Sequence, residues 1–441
     1  MAFFFSSNNL DISVKCLIFA PEKPFNIASM KKTIFLVLSF VLLVCGTVFG
    51  QGTTQLPKGD RYLVVVSMDG FRWDYNLMYE TPFLDSLARA GVDARMRPSY
   101  PSKTFPNHYT IATGLVPDHH GIIANNFTER KTGRRFSLSN PETKFDGAFY
   151  GGEPIWITAQ KNGINAGIVY WPGSEVELQG IRPYVYHKYD DNLMPFDKRI
   201  DEVKRLLTLP EAVRPHLVMV YFSEPDATGH DKGPYAPQTR KAVKTMDKMM
   251  RELYGVLQAL PIFEKIDFIV TSDHGMTRTS PERVIRLSDY VKSEWIHHID
   301  YSVPSWLDAN KVEANGVVLD YTDSIIDALK DVPHLHAWRR SEVPAYLQFG
   351  TNENIGDVIL NTDLGWVVGE KYDETTGTHG FDPFFPDMHV NFRAIGPDFK
   401  TGYVKEDIFQ NINVYSLMCH LLGLTPAPND GCLEAVSDML K

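Results

Sequence analysis

The sequence predicts an α/β fold: a mostly parallel, doubly wound central sheet flanked by helices, with a small cap region inserted late in the chain. Three observations predict it. Apolar runs that look like buried strands alternate with helical stretches. A long periodic, charged stretch over residues 236–259 reads as a helix between two of those strands. Three of the runs lead directly into an acidic residue, and open α/β sheets bind ligands outside the carboxyl ends of their strands.

From the N-terminus, Met30-Lys31-Lys32 followed by the apolar run Ile34–Phe49 reads as a signal peptide over residues 30–50. A membrane anchor is the alternative, but it needs about 20 apolar residues. Residues 1–29 then read as a misassigned upstream start, and a Gly/Thr/Pro linker fills 51–59. The expected location is outside the cytoplasm (periplasm, cell surface or medium), with no membrane span left once the leader is removed. The body runs from residue 60 to 441, with strands expected at Arg61–Ser67, Asn165–Tyr170, His216–Phe222 and Ile266–Thr271. Residues 281–375, with aromatic clusters around Trp295 and Trp306, read as an insertion or cap rather than a second domain.

The 441 residues suit one large domain with insertions or two ordinary ones. An apolar share of 44% and a charged share of 22% are those of a soluble globular protein. The formal charge of −10 argues against a basic nucleic-acid-binding surface. Positive charge for a phosphate ester must then come from bound metal. Outside the leader only Cys419 and Cys432 remain, either as a disulfide or as two thiols, and neither spacing makes a cysteine zinc site.

The chemistry lies at the strand ends. The first strand leads into Asp69, the third into Asp226 with His230 four residues on, and the fourth into Asp273-His274. One helical turn puts Asp226 and His230 on one face, which suits a single metal. His379 is a distant third ligand, flanked by glycine at Gly380. Thr104 precedes an expected helix at Tyr109–Thr113, where backbone N–H groups favour an oxyanion. A metal beside its hydroxyl would make it a nucleophile. Oxygen and imidazole donors without thiolate fit zinc first and manganese or another divalent ion second. Alone, each pair reads as a surface ion pair or a core histidine, and Thr104 as a helix cap. Together they make the inventory of a two-zinc phosphoryl-transfer site. His389 competes with His379, while His108, His119 and His120 read as helix and loop residues.

These motifs resemble the nucleotide pyrophosphatase/phosphodiesterase family of the alkaline phosphatase superfamily. The matching pieces are Ser67-Met-Asp-Gly-Phe-Arg72, Tyr100-Pro-Ser-Lys-Thr-Phe-Pro-Asn-His-Tyr109, His120-Gly-Ile-Ile-Ala-Asn125, Gly152-Glu-Pro-Ile-Trp156, Trp171-Pro-Gly-Ser174, Glu224-Pro-Asp-Ala-Thr-Gly-His230, Asp273-His-Gly-Met276 and Thr378-His-Gly380. The resemblance covers about residues 60–430 and implies an alkaline-phosphatase-like sheet. It implies Thr104 as nucleophile and two zinc ions per chain. One would be held by Asp226, His230 and His379, the other by Asp69, Thr104, Asp273 and His274. It further implies that Asn125 holds a phosphate oxygen, that Phe105 and Tyr189 sandwich a base, and that Lys144 matches a lysine of some nucleotide-hydrolysing members. The expected partner is a small nucleotide or phosphodiester substrate, cleaved through a phosphothreonine to release a nucleoside 5′-monophosphate. Alternatives are a choline-phosphodiester, monoester or phosphonate hydrolase of the same superfamily, or a metal-binding protein without activity.

Overall fold

Strands covered on both faces are mostly apolar along their length, and the central strands are so apart from Ser67, Asp267 and Thr271. In a computed structural model that describes residues 61–372 and 375–441, eight strands form one sheet. The expected upstream start, signal peptide and linker over residues 1–59 lie outside the described residues. In chain order the strands are β1 Tyr62–Met68, β2 Val92–Arg97, β3 Ala166–Val169, β4 Val185–Tyr186, β5 Leu217–Phe222, β6 Ile266–Thr271, β7 Val390–Ile395 and β8 Tyr403–Gln410. Across the sheet they run β8-β2-β7-β6-β1-β5-β3-β4. Only β7 runs against the others, pairing antiparallel with both β6 and β2. Every residue of β1, β5 and β6 is buried.

Helices cover both faces: α1 Pro82–Ala90, α2 Thr104–Thr113, α3 Ile155–Lys161, α4 Phe196–Leu207, α5 Asp226–Lys232, α6 Pro237–Gln258 and α7 Asn413–Leu421. Alternation along β1 sorts the core into two layers. Leu63 and Val65 join the layer holding Tyr109, Ile111, Trp156 and Val414, while Val64 and Val66 join Leu84, Val203, Val243 and Met246. In α6 the buried residues Val243, Met246, Met250, Leu253 and Leu257 recur every three or four positions. Fully burying such a side chain contributes about 1.5–3 kcal/mol, so packing of this face outweighs local propensity. Proline at its first position lacks an N–H that the helix start does not need.

Helix α2 begins at Thr104, five residues before the expected start at Tyr109. Pro106 does not prevent the earlier start. It falls in the first turn, where a missing N–H breaks no helical hydrogen bond. Gly114 ends the helix in the left-handed conformation at φ +70°.

Within residues 281–375 the chain builds a separate antiparallel sheet of four strands, ordered 296–300, 305–309, 358–362, 335–339. Leu307, Ile325, Leu329, Leu335, Val358 and Leu360 form its own apolar cluster. The chain then returns to the main sheet as β7. Cys419 is buried in α7, Cys432 is exposed, and both are free thiols. Among the described residues no helix is long and apolar enough to cross a membrane.

Candidate active site

The strands that carry the acidic motifs lie side by side, β6-β1-β5, and run parallel. Asp69 and Asp273 therefore leave the sheet at one edge. Asp226 is drawn back to the same edge: Asp69 N–H donates to the Phe222 carbonyl (2.9 Å), and Asp226 N–H donates to the Asp69 carbonyl (3.0 Å). Gly70, at φ +67°, permits this approach, because a Cβ there would lie 2.8 Å from the Asp226 Cβ.

Three imidazoles complete the cluster, each oriented by a backbone carbonyl. The Nδ1 atoms of His230, His274 and His379 lie 2.8 Å from the carbonyls of Gly377, Gly275 and Ser102. A carbonyl only accepts, so each Nδ1 carries the proton and each Nε2 faces the site, as metal-binding histidines are typically arranged. His379 Nε2 is 3.1 Å from His230 Nε2 and 3.7 Å from Asp226 Oδ1, and His230 Nε2 is 3.5 Å from that oxygen. His274 Nε2 stands 3.0 Å from Asp273 Oδ2, 3.4 Å from Asp69 Oδ1 and 3.0 Å from Thr104 Oγ1. The rings of His274 and His379 stack at 3.5 Å, so the two groups adjoin.

The donor set fits divalent cations. Asp69 Oδ1, Asp226 Oδ1 and Asp273 Oδ2 are buried oxygens without a hydrogen-bond partner, an arrangement that is costly unless something else satisfies them. Burial and the neighbouring Asp273 and Asp226 push the Asp69 carboxyl well above its usual range. Burial also opposes ionisation of Asp273, but His274 and His108 hold its carboxyl well below the usual range. Burial, then His274, Lys103 and His230, keep His379 neutral, the form that can ligate. Asp226, His230 and His379 can converge on one ion, and Asp69, Asp226 and His274 can converge on a second. Asp69 and Asp273 also approach His108. That ring spends its Nδ1 proton on the Thr104 carbonyl and turns Nε2 to Ser67, so His274 is the better donor.

Thr104 opens α2 with its hydroxyl towards this cluster. Asn125 Oδ1 accepts from the Phe105 N–H at 2.9 Å, which leaves the amide NH2 for a ligand oxygen. On the other side lies a cavity of about 200 Å³ lined by Thr104, Phe105, Lys144, Tyr170, Glu175 and Tyr189, with Leu138, Pro172 and Tyr221. Phe105 and Tyr189 both wall this space, but their ring contacts are with other partners, Phe136 for the first and Tyr170 and Tyr221 for the second. A larger surface cleft of about 500 Å³ between Glu80 and Arg251 shares none of these residues.

The sequence reading missed several participants. Tyr221 donates to Asp69 Oδ2 at 2.6 Å, and Glu175, buried in the cavity wall, accepts from the Tyr189 N–H. His108, read as an ordinary helix residue, touches the Asp273 carboxylate at 3.3 Å. Its position four residues after Thr104 was the available signal. His389 lies elsewhere: its Nδ1 accepts from Arg95 and its Nε2 faces the Pro383 carbonyl. Asp387 pairs with Arg72, and Asp382 accepts from Tyr346.

Comparison with known proteins agrees with this geometry. The family model described as type I phosphodiesterase/nucleotide pyrophosphatase matches residues 63–382. Human ectonucleotide pyrophosphatase/phosphodiesterase family member 1 is 36% identical over 387 residues, 86% of this chain and 42% of that protein. A venom phosphodiesterase of Naja atra is 36% identical over 406 residues, 89% of this chain and 48% of that protein. The chain thus spans less than half the length of either relative. Murine ectonucleotide pyrophosphatase/phosphodiesterase 5, solved as an inactive threonine-to-alanine form with AMP, superposes with a TM-score of 0.80 at 32% identity. That match covers 86% of this chain and 100% of the solved one. With the central sheet, the strand-end carboxylates and histidines and the family match in agreement, the chain belongs to the type I phosphodiesterase/nucleotide pyrophosphatase family.

Proposed function

We propose that this protein is an exported, two-zinc phosphodiesterase that hydrolyses nucleotide phosphodiester or pyrophosphate bonds and releases nucleoside 5′-monophosphates. One observation carries the reading. The Thr104 hydroxyl stands at a helix N-terminus, between buried, unpartnered carboxylate oxygens on one side and an aromatic cavity on the other.

Asp226, His230 and His379 hold one zinc ion, and Asp69, Thr104, Asp273 and His274 hold the other. Bound there, the ions supply Lewis acidity, lowering the pKa of a coordinated hydroxyl and neutralising phosphate charge. The base of the substrate enters between Phe105 and Tyr189, with Lys144 at the wall. The Asn125 amide NH2 holds a phosphate oxygen. The Thr104 oxygen attacks phosphorus as the ester or anhydride oxygen leaves from the opposite face. Water then cleaves the phosphothreonine and returns the free hydroxyl. The inactive murine relative lacks a threonine and holds AMP, the class of product this route releases. The leader reading and the ectonucleotidase and venom relatives support export. Residues 60–441 then form the catalytic body, with the segment over 281–375 as its cap.

The test uses the zinc-loaded protein, with a thymidine 5′-monophosphate nitrophenyl ester beside nitrophenyl phosphate. Strong preference for the nucleotide diester is expected, with no turnover by Thr104→Ala and both zinc ions retained. Preference for the monoester, or activity confined to choline phosphodiesters, overturns the substrate reading. A fully active Thr104→Ala overturns the nucleophile.

A further inference from the structure

We propose that His108 is a positioning residue that sets where the Thr104 hydroxyl stands relative to Asp69 and Asp273. The inference rests on the reading of Thr104 as the nucleophile. His108 lies four residues after Thr104 on α2, so its ring lies under the first turn of the same helix. It is fully buried. Its Nδ1 is 2.9 Å from the Thr104 carbonyl and 3.3 Å from Asp273 Oδ2. A carbonyl cannot donate, so Nδ1 holds the proton and donates it to the Thr104 carbonyl, while the same N–H edge lies against Asp273 Oδ2. Nε2 then carries the lone pair and accepts from the Ser67 hydroxyl at 2.8 Å, two residues before Asp69 on β1.

One ring thus reaches the helix that presents the nucleophile, the loop after β6 that carries Asp273 and the strand that carries Asp69. Its surroundings keep it there. The His108 carbonyl accepts from the Trp171 indole at 3.0 Å. The rings of Trp171 and Tyr221 each meet it edge-on at 5.1 Å, and Tyr221 in turn donates to Asp69. A histidine serving only as core filling has no need for three such partners. A metal ligand needs a lone pair aimed at Asp69 and Asp273, and here that nitrogen carries the proton instead. Thr104 is the first residue of its helix, where chain ends fray. An anchor one turn along holds its oxygen in place, and a displacement of about 1 Å at a reacting centre costs on the order of 100-fold in rate.

The two ring nitrogens can be removed separately. His108→Asn keeps a donor near the Nδ1 position and gives up the arm to Ser67. His108→Gln keeps a group near Nε2 and gives up the arm to Thr104 and Asp273. His108→Leu removes both. The full chain of each variant, and of Thr104→Ala, is assayed for kcat and KM on the thymidine 5′-monophosphate nitrophenyl ester, with zinc content and Tm. His108→Gln and His108→Leu are expected to lose kcat by about 10–100-fold, the loss typical of outer-shell partners, at unchanged KM and zinc content. His108→Asn is expected to recover most of that kcat. Wild-type turnover in His108→Gln overturns the proposal, as does equal kcat in the Asn and Gln variants. Zinc loss in step with kcat also overturns it, because His108 would then serve the metal rather than the nucleophile. If His108→Leu does not fold, the comparison of Asn with Gln decides. A fully active Thr104→Ala overturns the nucleophile reading, and this inference with it.

Discussion

His230 and His379 face each other through their Nε2 atoms at 3.1 Å, and both have already given their Nδ1 protons to backbone carbonyls. Two lone pairs therefore meet with no proton between them, and Asp226 Oδ1 stands within 3.7 Å of both. A cation held by these three side chains would resolve this contact. His379→Ala is expected to weaken one of the two metal ions by about 10–100-fold or more and leave the other in place. Zinc titration against a competing chelator measures it. Unchanged affinity for both ions counts against His379 as a ligand.

Phe105 and Tyr189 wall the same cavity beside Thr104. Phe105→Ala is expected to raise KM for the nucleotide diester more than for a small aryl diester that has no base to stack. Steady-state kinetics on the pair of substrates checks it, and equal effects on both remove the base-stacking role.

Gly70 combines a left-handed backbone with a neighbour that leaves no room for a Cβ. Gly70→Ala is expected to cost roughly 1–3 kcal/mol of stability and to push Asp226 from the site. Denaturant unfolding and zinc content report the two effects separately. A stable variant with a full metal complement shows that the turn can yield.

His120 is buried, with its Nε2 on the Thr110 hydroxyl and the Pro106 carbonyl. Burial pushes its pKa from 6.5 down to about 3. Below pH 6.5 the unfolded chain takes up a proton that the folded one refuses, so the stability this group contributes is present above pH 6.5 and is lost as pH falls towards 3. The slope from this one group is about 1.4 kcal/mol per pH unit. His120→Gln is expected to flatten the stability curve between pH 6.5 and pH 4 by that amount. Urea unfolding of both proteins across this range measures it, and parallel curves rule out the buried neutral histidine as the cause.

Much of this was legible because β1, β5 and β6 are covered on both faces and read as largely apolar runs with an aspartate within four residues of their ends. The strands at the β8 end of the sheet were not legible. β2, paired on both sides, is half-buried with alternating charges, and the edge strand β8 is mostly exposed and charged along Tyr403–Gln410, as sheet edges tend to be. β7 was not among the expected strands. Among site residues, Asp69, Asp226, Asp273 and their histidines followed from strand ends, whereas Phe105, Tyr189 and Lys144 rested on resemblance. Tyr221 was missed, and His108 was read as an ordinary helix residue, because Asp69 lies far from the first, and Ser67 and Asp273 far from the second, in sequence: Tyr221 reaches Asp69 only through the pairing of β5 with β1. Side-chain spacing shows who shares an element, not who meets across the sheet.

The candidate ligands join the chain in a fixed order during synthesis. Asp69, Asp273 and His274 can meet as soon as β6 has docked beside β1, but His379 arrives only after the whole 281–375 segment has been made. One half of the centre can therefore be assembled well before the other. Domains fold as they are completed, and structural metal binding is coupled to folding. A chain cut short before residue 379 keeps the first group of candidate ligands and lacks the last member of the Asp226, His230 and His379 group.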